Sequence, residues 1–187
     1  MSETIEHAKE GLEEAHHHGD SRARRTAVLI AVLAAALALA DMGEKGAQNQ
    51  YLTHHIALSD DWGFFQAKNV RATVHAAEAT VLESLPPDPA TTARIKAARD
   101  EEARLRDDPA KGDGMKQLIE RAEAQAEMRD HAFHRYHQYE IVVGGLQIAI
   151  VLASVSVVTR VLALAYAGGL LGALAGIYGL LIGGGAL

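Results

Sequence analysis

Cysteine is absent from the 187-residue sequence, which removes disulfides, thiolate metal sites and cysteine nucleophiles and leaves the redox compartment open. No Walker loop, HExxH, GxSxG or dinucleotide fingerprint occurs, and the glycines near the C-terminus follow no strand pattern. The adjacent carboxylates Asp60/Asp61 and Asp107/Asp108 would point about 100° apart on a helix, away from a shared substrate. No catalytic residue emerges, so the protein reads as non-enzymatic, with no cofactor implied. A basic stripe is also missing: the stretch from Met42 to Glu140 carries thirteen Lys/Arg against seventeen Asp/Glu, which excludes nucleic acid as a partner.

What is present separates into two materials that the mean hydropathy of -0.01 conceals. Residues 26–40 and 141–187 hold no charge except Arg160, and between them lies the polar middle. Spanning a bilayer takes about 20 apolar residues. The first run, extended to Met42, the run 141–159 and the run after Arg160 each suit one span. The first run also has features of a signal sequence, with arginines before it and "ALAD" at Ala38 to Asp41, but the acidic leader argues for a retained anchor. The expected organisation is a polar, histidine-containing N-terminal tail over 1–25, transmembrane helices over 26–42, 141–159 and 161–187, and an extramembrane segment over 43–140. Arg22, Arg24, Arg25 and Arg160 outnumber Lys45, Arg129 and Arg135 near the membrane ends, which puts the N-terminus in the cytoplasm and the hairpin in the periplasm of a bacterial inner membrane.

The extramembrane segment is rich in Ala, Glu, Arg and Lys and predicts helix nearly throughout. Asp88-Pro89 is a helix start, since the carboxylate caps free N–H groups and proline at the first helical position gives up no hydrogen bond. A tip near 86–90 and a break near 107–114 make an antiparallel helical hairpin. The fold class is therefore an all-α membrane protein, with three transmembrane helices and a long, coiled-coil-like extramembrane hairpin. An outgoing arm of about 41 residues would extend roughly 60 Å.

The sole tryptophan and two of the three phenylalanines fall in Ser59–Ala72, "SDDWGFFQAKNVRA". Steps of four and three give an expected outgoing seam of Tyr51, His55, Leu58, Trp62, Phe65, Asn69, Ala72, Ala76 and Ala79. On the return arm the matching series is Ile119, Ala122, Ala126, Arg129, Phe133, Tyr136 and Glu140. Trp62 and Phe65 then form hairpin core, and Asn69 fixes register. As a docking motif, the same stretch would leave Asp60, Asp61, Lys68 and Arg71 exposed for a partner.

Ser59, Asp60, Trp62, Gln66, Ala67, Lys68 and Arg71, followed by Gln147 in the second span, resemble the signature S-D-x-W-x-x-x-Q-A-K-x-x-[KR] of a family of bacterial membrane proteins of unknown function. The resemblance implies one N-terminal span, a helical middle and two closing spans. It implies no chemistry.

Small residues at helical spacing mark the spans: Gly145, Ala149 and Ala153 on the second, and Gly168, Gly172, Gly176, Gly179 and Gly183 on the third. In lipid such stripes let backbones approach. Two stripes exceed what one chain needs, which predicts a homo-oligomer, with another membrane complex as a further possible partner. A histidine-dependent metal site is the weaker alternative: His54, His55, His131, His134 and His137 supply nitrogen ligands, and His7 and His16 to His18 lie in the tail. An oligomeric pore, with Asp41 and Glu140 ringing its mouth, is the other.

Overall fold

The computed structural model describes the backbone from Ser2 to Gly185 and the side chains of Ser21 and residues 23–185. It is all-helical, with four helices and no strand among the described residues: α1 Ser2–Glu83, α2 Pro89–Arg106, α3 Met115–Thr159 and α4 Leu162–Gly183. Segments within α1 and α3, and α4 itself, are long and apolar enough to cross a membrane. The chain divides into two compact units, one comprising the chain up to Ala47 and from His134 onward, the other Gln48–Phe133. The tail histidines His7, His16, His17 and His18 lie outside the residues whose side chains are described.

The first unit packs alanines among larger apolar side chains. Its core is Leu33, Ala40, Ala47, Tyr139, Val142, Leu146, Ala149 and Ile182. α3 and α4 are joined by Arg160 and Val161 alone, and Arg160 takes a left-handed backbone conformation with φ of 57°. The Ser156 hydroxyl donates to the Val161 carbonyl at 3.0 Å, closing this turn. Such a short connection makes the two helices antiparallel neighbours.

The glycines then show how close they come. A β-carbon on Gly168 would lie 2.7 Å from the Ala149 carbonyl oxygen and 3.2 Å from the Ala153 nitrogen. One on Gly172 would collide with Leu33, one on Gly145 would press on Ala175, and one on Gly179 would meet Val142. Both small-residue stripes are therefore used inside one chain, α3 against α4 with α1 behind Gly172. That is a different use from the pairing of copies for which the stripes seemed in excess. Gly176 has open space around it, and Gly183 lies 3.4 Å from the Tyr139 hydroxyl.

In the second unit the segment 48–83 of α1 runs antiparallel to a return arm made of α2 and the first part of α3. The partners fall along α1 as they rise along the return arm: Lys68 with Asp113 just before α3, Asp61 with Arg121, His54 with Gln125 and Tyr51 with Phe133. α2 starts at Asp88, whose carboxylate accepts from the Ala90 and Thr91 N–H groups at 2.8 and 3.1 Å and also from the Thr91 hydroxyl, with Pro89 at the first helical position. Between α2 and α3 the chain is held by Gln117, which donates to Asp107 Oδ1 at 2.6 Å and accepts from the Asp108 N–H at 3.2 Å. Gly112, at φ of 68°, supplies the left-handed step there.

Two tests follow from this packing. Gly168→Ala forces α4 away from backbone atoms that no rotamer change can relieve, and should cost about 1–3 kcal/mol. Gly176→Ala meets nothing and should be neutral or stabilising by up to about 1 kcal/mol; thermal melting of the two variants in detergent makes the comparison. At the hairpin tip, the Thr91 hydroxyl above all, then the Thr91 and Ala90 N–H groups, hold the Asp88 carboxyl below its ordinary range. A depressed folded value means that the cap's contribution is complete above the unfolded carboxylate pKa and is lost as pH falls through the folded one. Asp88→Asn keeps a capping oxygen without the charge. Its melting temperature should therefore fall less than that of the unmodified protein over the same acid range.

Candidate functional site

The stretch around Trp62 is distributed over three faces of α1. Inside the hairpin, α1 buries one row that recurs every seven residues, with His54, Asp61, Lys68, His75 and Leu82 half or fully covered, and a second with Tyr51, Leu58, Phe65, Ala72 and Ala79. On α3 the corresponding rows are Leu118, Gln125 and Ala132, and Met115, Ala122 and Arg129. The expected seam shares Tyr51, Leu58, Phe65, Ala72, Ala79, Ala122, Arg129 and Tyr136 with these rows but is displaced by one residue at every second position. His55, Trp62, Asn69, Phe133 and Glu140 are exposed, Ile119 is half-buried beside buried Leu118, and Ala76 and Ala126 are half-buried as their neighbours His75 and Gln125 are. Asn69 thus takes no part in fixing register.

The displacement has a physical reason. Alanines at 72, 79, 122 and 132 are buried where the arms meet, and a close approach leaves no room for an indole between them. Polar side chains flank the seam instead and find partners across it. Asp61 pairs with Arg121 at 3.1 Å, Lys68 with Asp113 at 3.2 Å, and His54 Nδ1 with Gln125 Oε1 at 2.8 Å. Side-chain exposures of 14% for Asp61 and 16% for Lys68 show that neither is left facing water for a partner, as the docking reading had it. Trp62 is 43% exposed and lies edge-on against Phe65 of its own helix, ring centroids 5.4 Å apart. Asp60, Gln66 and Arg71 face outward.

Arg121, Asp113 and Gln125 carry this arrangement and were missed by reading for apolar residues. Their signal was a pair of opposite charges on each arm, Asp61 and Lys68 seven apart on one and Asp113 and Arg121 eight apart on the other. These groups are in hydrogen-bonded or ionic pairs that join the two arms.

The histidines are spread among separate partners. His54 meets Gln125, His55 stacks on Tyr51 at 5.7 Å, and His137 Nδ1 lies 3.0 Å from Glu140 Oε2. His131 is exposed, and His134 makes interactions of its own. Among the described residues no group of three or more His, Cys, Asp or Glu is placed to hold a metal ion.

Truncations should separate the faces. Asp61→Ala strands half-exposed Arg121 and should cost about 1–2 kcal/mol, between the 0–1 of an exposed pair and the 3–5 of a buried one. Asp60→Ala should stay within about 0.5 kcal/mol. Trp62→Ala should cost less than the about 3–5 kcal/mol of a buried tryptophan. Melting of the purified variants ranks them; a loss for Trp62→Ala as large as that of a buried tryptophan would contradict the rotated seam.

No curated protein and no solved structure matches the chain. A family profile described as a domain of unknown function, DUF4337, matches residues 22–183, nearly the whole of this all-helical arrangement. The protein belongs to the DUF4337 family.

Proposed function

We propose that this protein is a non-enzymatic, three-span protein of the bacterial inner membrane, whose extramembrane hairpin serves as the docking element of a homo-oligomeric scaffold. The observation that carries the membrane reading is the inverted sorting of side chains in the first unit. Alanines and glycines stand at the closest helix contacts inside, while Val32, Leu39, Ile148, Tyr166, Leu170 and Leu180 are exposed. In water so much outward apolar surface favours aggregation. In hydrocarbon it costs nothing, and small residues inside let the helices pack by contact alone.

A scaffold is favoured over a pore by the state of the carboxylates. Asp41 is paired with Lys45 at 2.5 Å, and Glu140 faces His137, so both have local partners. Self-association is supported by Gln147, which is exposed on α3 within an apolar run. An amide there gains from a partner that lipid cannot provide.

The absence of native cysteine permits single-cysteine topology mapping. Pro87→Cys, at the exposed tip, should react with a membrane-impermeant thiol reagent from the periplasmic side, in protein that stays with the membrane through an alkaline wash. Labelling only after lysis would reverse the orientation. Release by the wash would overturn the membrane reading itself.

A further inference from the structure

The apolar run of α3 from Ile141 to Val158 holds three side chains with hydrogen-bonding groups, Gln147, Ser154 and Ser156. Ser156 is buried and donates to the Val161 carbonyl, and Ser154 donates to the Ile150 carbonyl at 2.8 Å, so both hydroxyls have an acceptor in their own chain. Gln147 differs from them. It is exposed, while Leu146 and Ala149 on either side turn inward and are buried, and among the described residues its amide meets no partner. On the membrane reading above, on which this inference rests, Gln147 lies six residues inside the span, about 9 Å at 1.5 Å per residue. Hydrocarbon supplies neither donor nor acceptor, and an amide placed there costs free energy until it finds one. We propose that Gln147 pairs with Gln147 of a second copy, the two α3 helices crossing at this residue.

Depth and chemistry select a second copy as the occupant. Copies inserted in one direction carry Gln147 at one depth and on the same side of α3, a condition that involves this span alone. A carboxamide has two N–H donors and a carbonyl acceptor. Two of them related by a twofold axis along the membrane normal therefore close two hydrogen bonds, each amide donating to the Oε1 of the other. A different protein would have to bring its own polar group to that depth, whereas a second copy brings one by symmetry.

The surroundings suit that contact. Steps of three and four from Gln147 give an outward row of Gly144, Val151, Ser154 and Val158, opposite the buried row of Val142, Leu146, Ala149 and Ala153. Glycine, serine and valine are short enough to let two helices approach within reach of a pair of amides. Glu140 continues the row one heptad earlier, beyond the apolar run, where His137 stands 3.0 Å from it. Helices that cross at Gln147 diverge on either side, which takes Glu140, about 10 Å away along the axis, off the contact.

The test uses the full chain in alkaline-washed membranes, with single cysteines oxidised to disulfides. Val151→Cys, one turn from Gln147 on the outward row, should shift the chain from 20.0 kDa to twice that mass. Ile148→Cys, 57% exposed at the same depth but about 100° round the helix from Gln147, should remain a monomer. In the Val151→Cys chain, Gln147→Leu should lower the dimer fraction about tenfold, the scale of an interhelical hydrogen bond in lipid, and Gln147→Asn, which keeps the carboxamide, should retain most of it. Melting in detergent at a dilution that gives monomers should be the same for all of them, since the amide touches nothing inside the chain. A dimer fraction that Gln147→Leu leaves unchanged overturns the amide pairing. Membrane-retained protein that cross-links at neither position, equally at both, or only to another protein, also overturns it and leaves the membrane reading intact. A chain released by the wash overturns the membrane reading and the pairing with it.

Discussion

A single seven-residue repeat on α1 is the constraint on which the other helices depend. The positions Thr26, Leu33, Ala40, Ala47, His54, Asp61, Lys68, His75 and Leu82 are all buried or half-buried at intervals of seven. α3 has a matching row at Leu118, Gln125, Ala132, Tyr139, Leu146 and Ala153. A period of 3.5 residues per turn keeps one side of a slightly under-wound helix facing its neighbour. What changes along the row is chemistry. After Thr26 it is apolar from Leu33 to Ala47, then imidazole, carboxylate, ammonium and imidazole before Leu82, the switch falling where the chain passes from one compact unit to the other.

That switch follows from what each surrounding can supply. Where lipid is the solvent, no hydrophobic force pairs helices, and contact between small surfaces must hold them. Alanine and glycine at the meeting points serve this, as Gly168 against Ala149 shows. Where water is the solvent, a thin alanine seam buries little apolar area, and one-residue slips of long helices are a hazard. Partly buried pairs such as Asp61–Arg121 and Lys68–Asp113 add modest stability but penalise a slipped register, because a slip would leave charges half-covered and unpaired.

Helix identity and the breaks between helices were legible because they rest on local chemistry. Asp88-Pro89 starts α2 through a side-chain cap, and Asp107 to Gly114 contains the glycine and carboxylates that interrupt the return arm. The apolar runs were legible by length alone. The seam phase was not, since rows beginning at Tyr51 with steps of four-three or three-four share every second member and differ at the others by one residue, about 100° of rotation. Choosing the row with larger apolar side chains admitted Trp62 and Phe133 and displaced Asp61 and Ala132. Which side won depended on how closely the arms approach, a tertiary property that the alanines set jointly. The same limit applied to the glycine stripes, whose spacing does not distinguish a partner within the chain from one in another copy.

The motif around Trp62 sends different side chains to different faces of about four turns of helix. Asp61 and Lys68, seven residues apart, turn inward and align the hairpin. Gly63 and Ala67, four apart, turn outward and leave a flat surface beside Val70 and Val74. Trp62 lies between these faces, braced on Phe65 and still partly exposed. Within about four turns, Ser59–Ala72 thus places paired charges against the return arm and an aromatic pair at the edge of the seam, and apolar size alone could not tell the two positions apart.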